Sequence, residues 1–198
     1  MRRNHFLLVA VMGAAMAISG AAVAFAGGSA APPVRATVSS GTPVARDSLS
    51  PNDQDMLARI GATGPITRLG ALSGTTFYEI RAGDGGECFA FGLEAQGGGL
   101  SGGCLGGSGQ LTDPVVDMSI VAMNPADGTF QFRTVQGIAA DGVSAVGVID
   151  AGGIVHATPV VGNIYRMADG AVPMGPIMAF VALDASGSTI YTKPLIAG

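Results

Sequence analysis

Short apolar runs separated by turn residues dominate the second half of the chain. The clearest pair is residues 143–149 and 154–161, two runs rich in Val and Ile on either side of an Asp-Ala-Gly-Gly turn. Asp and Gly between β-branched residues are typical of a β-hairpin. With a two-residue loop at this turn, Val148 lies opposite Val155, and apolar side chains meet on both faces of the hairpin.

The same alternation of apolar runs and turns covers most of the chain. Residues 66–72 and 75–81 flank Ser73-Gly74, which predicts a second hairpin. Further strands are predicted at residues 88–93, 115–123, 129–138, 177–183 and 188–193. No alternation of strands with helices is visible, which argues against a parallel sheet. The pattern predicts an all-β domain over residues 65–198, an antiparallel sandwich or small barrel of about 8–10 short strands.

One segment, residues 50–61, has a helical pattern instead. Ser50 suits the N-cap, Pro51 suits the first helical position, and Gly61 suits the end of the helix. Three apolar residues recur at helical spacing within it: Met56, Leu57 and Ile60. Because a helix of about ten residues is marginal alone, we expect it to lay this apolar stripe on the β-domain.

The amino terminus has the pattern of an export signal. Arg2 and Arg3 precede an uncharged, mostly apolar stretch that ends in Ala24-Phe25-Ala26. A basic start, an apolar centre and a small-x-small end predict a secretory signal peptide, residues 1–26, that is cleaved after Ala26. The alternative is an uncleaved anchor, because about 20 apolar residues can span a bilayer. In that case the protein would contact the membrane only through this segment.

Composition fits a turn-rich, exported chain. Gly contributes 32 of the 198 residues and charged residues make up 12%, against about 7% Gly and about 25% charged residues in typical domains. Residues 27–49 are rich in Pro, Ser, Thr and Gly, which predicts a flexible tether. The net charge of −4 argues against nucleic acid or an anionic membrane surface as a partner.

Both cysteines, Cys88 and Cys104, lie in the part of the chain that we expect to be exported. In an oxidising compartment this predicts a single disulfide between them. A redox pair or a pair of metal thiolates is the alternative, but the spacing is not C-x-x-C and no second pair exists. The disulfide would tie down residues 97–109, a glycine-rich segment that otherwise reads as a flexible surface loop.

His156 is the candidate catalytic residue, because it is the one histidine that follows the signal segment. A hydrolase would need its ring to reach both a nucleophile and an orienting carboxylate. The competing interpretation is a structural histidine that fills a pleat of the return strand. No G-x-S-x-G nucleophile motif occurs in the chain, which favours the structural role.

Three carboxylates around one predicted turn are the candidate metal ligands: Glu79, Asp84 and Glu87. Carboxylates suit calcium, but the D-x-D-x-D-G spacing of a calcium loop is missing. We therefore expect no metal and no cofactor.

Three short motifs resemble a known group of proteins. Residues 137–146 read G-x-x-x-D-G-V-x-x-V, residues 159–165 read P-V-V-G-N-I-Y, and residues 184–187 read D-A-S-G. They are similar to the carboxyl-terminal half of uncharacterised secreted β-rich proteins of high-GC Gram-positive bacteria. The resemblance covers residues 65–195 and implies export, a β-rich fold and an upstream cysteine pair such as Cys88 and Cys104. It implies no activity.

The sequence therefore favours an exported, non-enzymatic β-domain. Its expected role is a binding or interaction module of the cell envelope or extracellular space, with an extracellular or cell-wall partner whose identity the sequence does not specify. The alternative is a secreted hydrolase that uses His156 with a nearby carboxylate.

Overall fold

A computed structural model of the chain describes residues 37–93, 99–105, 113–123, 130–168, 170–172 and 175–195. These residues form fourteen β-strands and one α-helix, so the all-β fold class is confirmed. The strands are β1 Thr42–Val44, β2 Ile66–Leu72, β3 Thr75–Arg81, β4 Glu87–Leu93, β5 Leu100–Cys104, β6 Val115–Asp117, β7 Ile120–Met123, β8 Phe130–Thr134, β9 Gln136–Ala139, β10 Ala145–Asp150, β11 Val155–Pro159, β12 Ile164–Arg166, β13 Ile177–Leu183 and β14 Thr189–Pro194. The predicted signal peptide lies outside the described residues.

The strands pair into four antiparallel sheets. Sheet A has the order β1-β2-β3-β4-β5, sheet B the order β12-β9-β6, sheet C the pair β7-β8, and sheet D the order β11-β10-β13-β14. Within the described residues each of these sheets is open, with an unpaired edge at both ends. Of the two predicted arrangements, the structure therefore supports the sandwich and not the small barrel.

Sheet B lies between sheets A and D. Side chains of a strand alternate between its two faces, so one sheet can pack against a different sheet on each side. One face of sheet B shares a buried cluster with sheet A: Leu69, Phe77, Phe89, Ile138 and Ile164. The other face shares a second cluster with sheet D: Ala139, Tyr165, Val146, Val148 and Phe180. The hydrophobic core is therefore split into two layers, with sheet B as the common wall.

The predicted helix is present as α1, Pro51–Arg59, and covers the other side of sheet A. The Ser50 hydroxyl accepts a hydrogen bond from the Asp53 amide at 3.2 Å, and Gly61 follows the helix with φ of 79°. Leu57 is fully buried against sheet A, which contributes about 2 kcal/mol. Within the described part of the chain, no helix has the length and apolarity that crossing a bilayer requires.

The predicted tether is ordered from residue 37 onward, which corrects its boundary. Strand β1 pairs with β2 as the edge strand of sheet A, so the backbone groups on one of its sides are hydrogen-bonded within the sheet. Arg46 then donates to the carbonyl oxygens of Ala62 at 2.7 Å and Gly64 at 2.9 Å. Val38, Val44 and Leu49 of this segment are also partly buried against the core clusters, so polar and apolar contacts together hold it. Residues 27–36 lie outside the described residues.

The central hairpin has a register that differs by one residue from the predicted one. Val148 lies opposite His156, where Val155 was expected. The loop contains three residues instead of two, because the Asp150 amide donates to the Ile154 carbonyl oxygen at 3.0 Å and Gly153 takes a φ of 79°. A turn of this length ends in a glycine bulge, which shifts the pairing of the return strand.

More and shorter strands are present than expected because one long hairpin is bent. The predicted strand 115–123 is divided into β6 and β7, since the Asp117 carboxylate accepts the Ser119 amide at 2.9 Å and interrupts the strand. The predicted strand 129–138 is divided at Val135 into β8 and β9. Each half pairs in a different sheet, so the hairpin contributes to sheets B and C together.

The disulfide between Cys88 and Cys104 is confirmed, and it closes a loop of 16 residues. The two residues lie directly opposite each other on β4 and β5. Strand β5 lies inside the segment predicted as a flexible loop, so that interpretation was wrong for residues 100–104. Gly102 permits the pairing, because a Cβ there would lie 2.2 Å from the Phe89 carbonyl oxygen.

Candidate functional site

His156 is half-buried on β11 and contacts one carboxylate. Its Nε2 lies 2.8 Å from Oδ2 of Asp150. The other oxygen of Asp150 accepts the amides of Gly152 and Ile154, each at 2.9 Å. The hydrogen bond with His156 and these amide bonds together hold the pKa of Asp150 below its usual value. Asp150 therefore shapes the hairpin turn and fixes the imidazole at the same time.

The contact brings together two of the three groups that a hydrolase of this type needs. Within the described residues, Asp150 is the one side chain that hydrogen-bonds to the imidazole. In that part of the chain, no hydroxyl or thiol group is hydrogen-bonded to the imidazole of His156. The arrangement is explained by the turn that Asp150 caps.

The three candidate metal ligands do not converge. Asp84 accepts the amide of Gly86 at 3.0 Å and so caps its own turn. Glu79 lies opposite Phe89, and Glu87 lies opposite Arg81. Because alternate residues of a strand share a face, Glu79 and Glu87 are on the same face of the β3-β4 pair. In the part of the chain that the structure describes, no group of three His, Cys, Asp or Glu side chains could hold a metal ion.

Glu79 instead lines a polar cavity, which we call the Glu79 cleft. Its volume is about 260 Å³, and it lies between β2-β3 and the segment that precedes β1. Its lining is mostly polar, with two apolar residues: Val38, Ser39, Ser40, Gly41, Pro65, Thr67, Glu79 and Arg81. Burial raises the pKa of Glu79, with a further contribution from Glu87 and an opposing one from Arg81. Sequence reasoning missed this cleft because its rim was assigned to the tether.

A second cleft of about 350 Å³, the Phe89 cleft, lies between β4-β5 and the bend after β6. Its lining combines Phe89, Phe91 and Met118 with the carboxylate of Asp117. Asp117 is exposed as a whole residue, yet the surrounding atoms desolvate its carboxylate. This burial raises the pKa of Asp117, against hydrogen bonds from Ser119 that lower it.

Sheet D has one side that packs on sheet B and an opposite side that we call the outer face. The outer face is defined by alternate residues of its four strands: Ala145, Gly147, Ile149, Val155, Ala157, Pro159, Ala179, Val181, Leu183, Thr189, Thr192 and Pro194. None of these residues is charged. The buried cluster on this side contains no residue from another described element.

Large apolar side chains are exposed on and beside the outer face. Val155 is 38% exposed, and two bulge residues at its margin, Met178 and Ile190, are 47% and 51% exposed. At the centre, Val155 and Val181 lean over Gly147, where a Cβ would lie 3.1 Å and 3.2 Å from their methyl carbons. The face is therefore aliphatic, but its centre is little exposed: Ile149, Ala179, Val181 and Leu183 are each 8% exposed or less, and the exposed apolar groups lie on β11 and at the two bulges.

Two apolar runs in the sequence correspond to the outer face, although their pattern predicts strands that the chain itself covers on both sides. Residues 143–149 and 177–183 are apolar at nearly every position, a pattern that predicts burial on both faces of a strand. The structure places both runs side by side in sheet D and leaves one face without a covering element among the described residues. The pattern identifies an apolar surface, but it does not specify whether the chain itself covers that surface.

A scan against protein-family models found no match, and searches of curated proteins and of solved structures also found none. The resemblance to secreted β-rich proteins of high-GC Gram-positive bacteria therefore stays a prediction.

Proposed function

We propose that this chain is an exported, non-enzymatic interaction module of the cell envelope or extracellular space. It binds a partner protein through the outer face, and the partner presents a flat, uncharged, apolar surface. The observation that carries the proposal is a four-stranded sheet face without a charged residue on which Val155 is 38% exposed.

Charge and exposure together define the partner's chemistry. The chain carries a net charge of −4, but among the residues that the structure describes none of the charged ones lies on the outer face. Exposed apolar side chains grouped on and beside an uncharged sheet face, here Val155, Met178 and Ile190, favour an interaction site, and the centres of interfaces are depleted in charged residues. A charged partner surface would lose hydration here without gaining an ion pair.

Two features support export. The disulfide between Cys88 and Cys104 suits an oxidising compartment. The basic and apolar pattern of residues 1–26 suits a cleaved signal peptide. Amino-terminal sequencing of the protein recovered outside the cell tests this part, and the expected first residue is Gly27. Recovery of an intact amino terminus in the membrane fraction would favour the anchored alternative.

Capture with matched variants tests the binding surface. The purified exported protein is immobilised and incubated with cell-wall fractions and secreted proteins of its source. We expect a defined species that is retained by the wild type and lost with the double variant Val155→Lys, Ile190→Lys. The control is Val121→Lys, because Val121 is 42% exposed on β7 and lies outside sheet D.

Equal capture by the double variant and the wild type would contradict the proposal, as would capture of nothing. Thermal unfolding of each variant shows whether the lysines alter the fold instead of the surface. Sedimentation of the wild type alone reports whether the captured species is a second copy of the chain.

A second candidate function, a secreted hydrolase, is favoured by the contact of 2.8 Å between His156 and Asp150. His156→Ala separates the two functions when stability and hydrolysis of ester, peptide and glycoside substrates are measured together. Loss of stability without any hydrolysis in the wild type supports the structural role. Loss of hydrolysis in a stable variant would support the enzyme.

A further inference from the structure

The Glu79 cleft has a rim that is fixed by contacts with a distant part of the chain. Ser40 donates from its amide to Oδ1 of Asn163 at 3.2 Å and from its hydroxyl to the Gly162 carbonyl oxygen at 2.8 Å. Gly41 lies so close to β2 that a Cβ there would be 2.4 Å from a methyl carbon of Thr67. The rim is therefore held over the strands, and the space beneath it is a built cavity.

Two opposite charges line this cavity without contacting each other. Glu79 and Arg81 are two residues apart on β3, so both point to the same face, with their Cα atoms about 6.7 Å apart. Within the described residues, neither side chain forms a hydrogen bond or an ion pair. A half-buried carboxylate without a donor carries a desolvation cost, in agreement with the raised pKa of Glu79.

We propose that the Glu79 cleft binds a small zwitterion of the size of a free α-amino acid. The ligand's ammonium contacts the carboxylate of Glu79, and its carboxylate contacts the guanidinium of Arg81. A guanidinium offers paired N–H donors that match a carboxylate. Ser39 and Thr67 also line the cavity, and their hydroxyls are the candidates for further polar contacts.

The cavity's size and polarity both restrict the ligand. A volume of about 260 Å³ is below the range of about 300–1,000 Å³ that is usual for drug-sized ligands. The defining side chains are mostly hydroxyl-bearing or charged, which disfavours an apolar ligand. An anionic ligand would leave the half-buried carboxylate of Glu79 without a donor, and a cationic ligand would make no use of the Arg81 guanidinium, so the site should favour a ligand that carries both charges.

This inference is independent of the proposed partner surface, because the outer face belongs to sheet D and the Glu79 cleft to sheet A. The variant Val155→Lys, Ile190→Lys should therefore bind the zwitterion as the wild type does. Failure of one proposal leaves the other standing.

Calorimetric titration of the purified exported protein with each standard α-amino acid tests the proposal. We expect at least one amino acid to bind. Its N-acetyl derivative lacks the ammonium and its amide derivative lacks the carboxylate, and each should bind at least about tenfold more weakly. Glu79→Gln and Arg81→Gln should each weaken binding by a similar factor. The matched control is Arg68→Gln, since Arg68 is exposed on the opposite face of sheet A and the variant should bind normally.

Three results would overturn the proposal. They are no binding of any amino acid up to about 10 mM, equal binding of the N-acetyl derivative, and unchanged affinity of both Glu79→Gln and Arg81→Gln. Because Arg81 is exposed, Arg81→Gln keeps the test decisive even if Glu79→Gln alters the fold.

Discussion

At the scale of single residues, Gly137 lies where neighbouring groups leave no room for a side chain. A Cβ at this position would be 2.0 Å from the Val116 carbonyl oxygen and 2.6 Å from the hydroxyl of Tyr165. The fully buried ring of Tyr165 lies across the glycine and donates to Val116 at 3.3 Å. Gly137 is thus required by packing in sheet B, not by the conformation of a turn.

Gly137→Ala should lower the free energy of unfolding by about 3 kcal/mol, because backbone and ring would both have to move. Urea denaturation measures the change. The control is Gly103→Ala in β5, where a Cβ would meet nothing within 4 Å, and its effect should stay within about 0.5 kcal/mol. Equal, small effects of the two substitutions would contradict this packing.

Residues of this kind show why part of the structure could not be predicted from the sequence. Ser73 and Gly74 are marked by local turn chemistry, and both take the positive φ that a two-residue hairpin loop requires. Gly137 lies inside a strand, and the groups that exclude a side chain there, Val116 and Tyr165, come from strands β6 and β12. A local pattern contains no information about those neighbours.

At the scale of elements, strand positions followed from the sequence more reliably than strand pairing. The runs 66–72, 75–81 and 177–183 are strands with the predicted bounds, since each is set by its own apolar residues and turns. The register of β10 with β11 was wrong because it depends on one hydrogen bond at Asp150 and one glycine bulge. The Glu79 cleft was missed for a related reason, because its two walls are far apart in the chain.

The carboxylate of Asp53 links helix α1 to strand β5. Its removal should lower the free energy of unfolding more than the loss of an exposed carboxylate does. Asp53 is 7% exposed, accepts the amide of Leu100 at 2.8 Å, and accepts the hydroxyl of Ser50 at 2.7 Å. Asp53→Ala leaves a buried amide without an acceptor, which should cost about 2 kcal/mol of unfolding free energy.

Asp55→Ala provides the matched control for Asp53→Ala on the same helix. Asp55 pairs with Arg59 at 2.9 Å, but its side chain is 70% exposed, so the loss should be about 0.5 kcal/mol or less. Thermal and urea unfolding of the two variants measure the difference. Similar losses for both substitutions would show that the Asp53 contact contributes little.

At the scale of the whole molecule, the sequence predicted the class of fold but not its layering. Alternation within strands indicates that each strand has two different faces, whereas the position of sheet B between sheets A and D follows from long-range contacts. The outer face results from the same layering, because sheet D lies at the end of the stack. The function that we propose for the outer face therefore depends on an arrangement that no single segment encodes.

Stability should pass through a maximum in mildly acidic solution. Glu79 and Asp117 have raised pKa values, so their protonation stabilises the folded state as the pH falls from neutral towards their unfolded values, about 4. Asp141, Asp150 and Asp184 have pKa values lowered by hydrogen bonds. Their stabilisation is present above about pH 4 and is lost as the pH falls further through their folded values.

Urea denaturation across this pH range measures the profile. In the double variant Glu79→Gln, Asp117→Asn, the free energy of unfolding should change less between pH 7 and the maximum. Its fall on the acid side of the maximum should be unchanged. A wild-type stability that rises steadily from about pH 4.5 to 7 would contradict the assignment of the two desolvated carboxylates.

The measurement that tests the outer face most directly is oxidation of Met178 by dilute hydrogen peroxide, followed by mass spectrometry. Met178 is 47% exposed at the margin of the outer face, whereas Met118 is 9% exposed and serves as an internal reference. In the free protein Met178 should be oxidised much faster than Met118. When the captured partner is bound, we predict that oxidation of Met178 slows to a rate near that of Met118. An unchanged rate for Met178 in the complex would show that the partner binds elsewhere and would contradict the central claim.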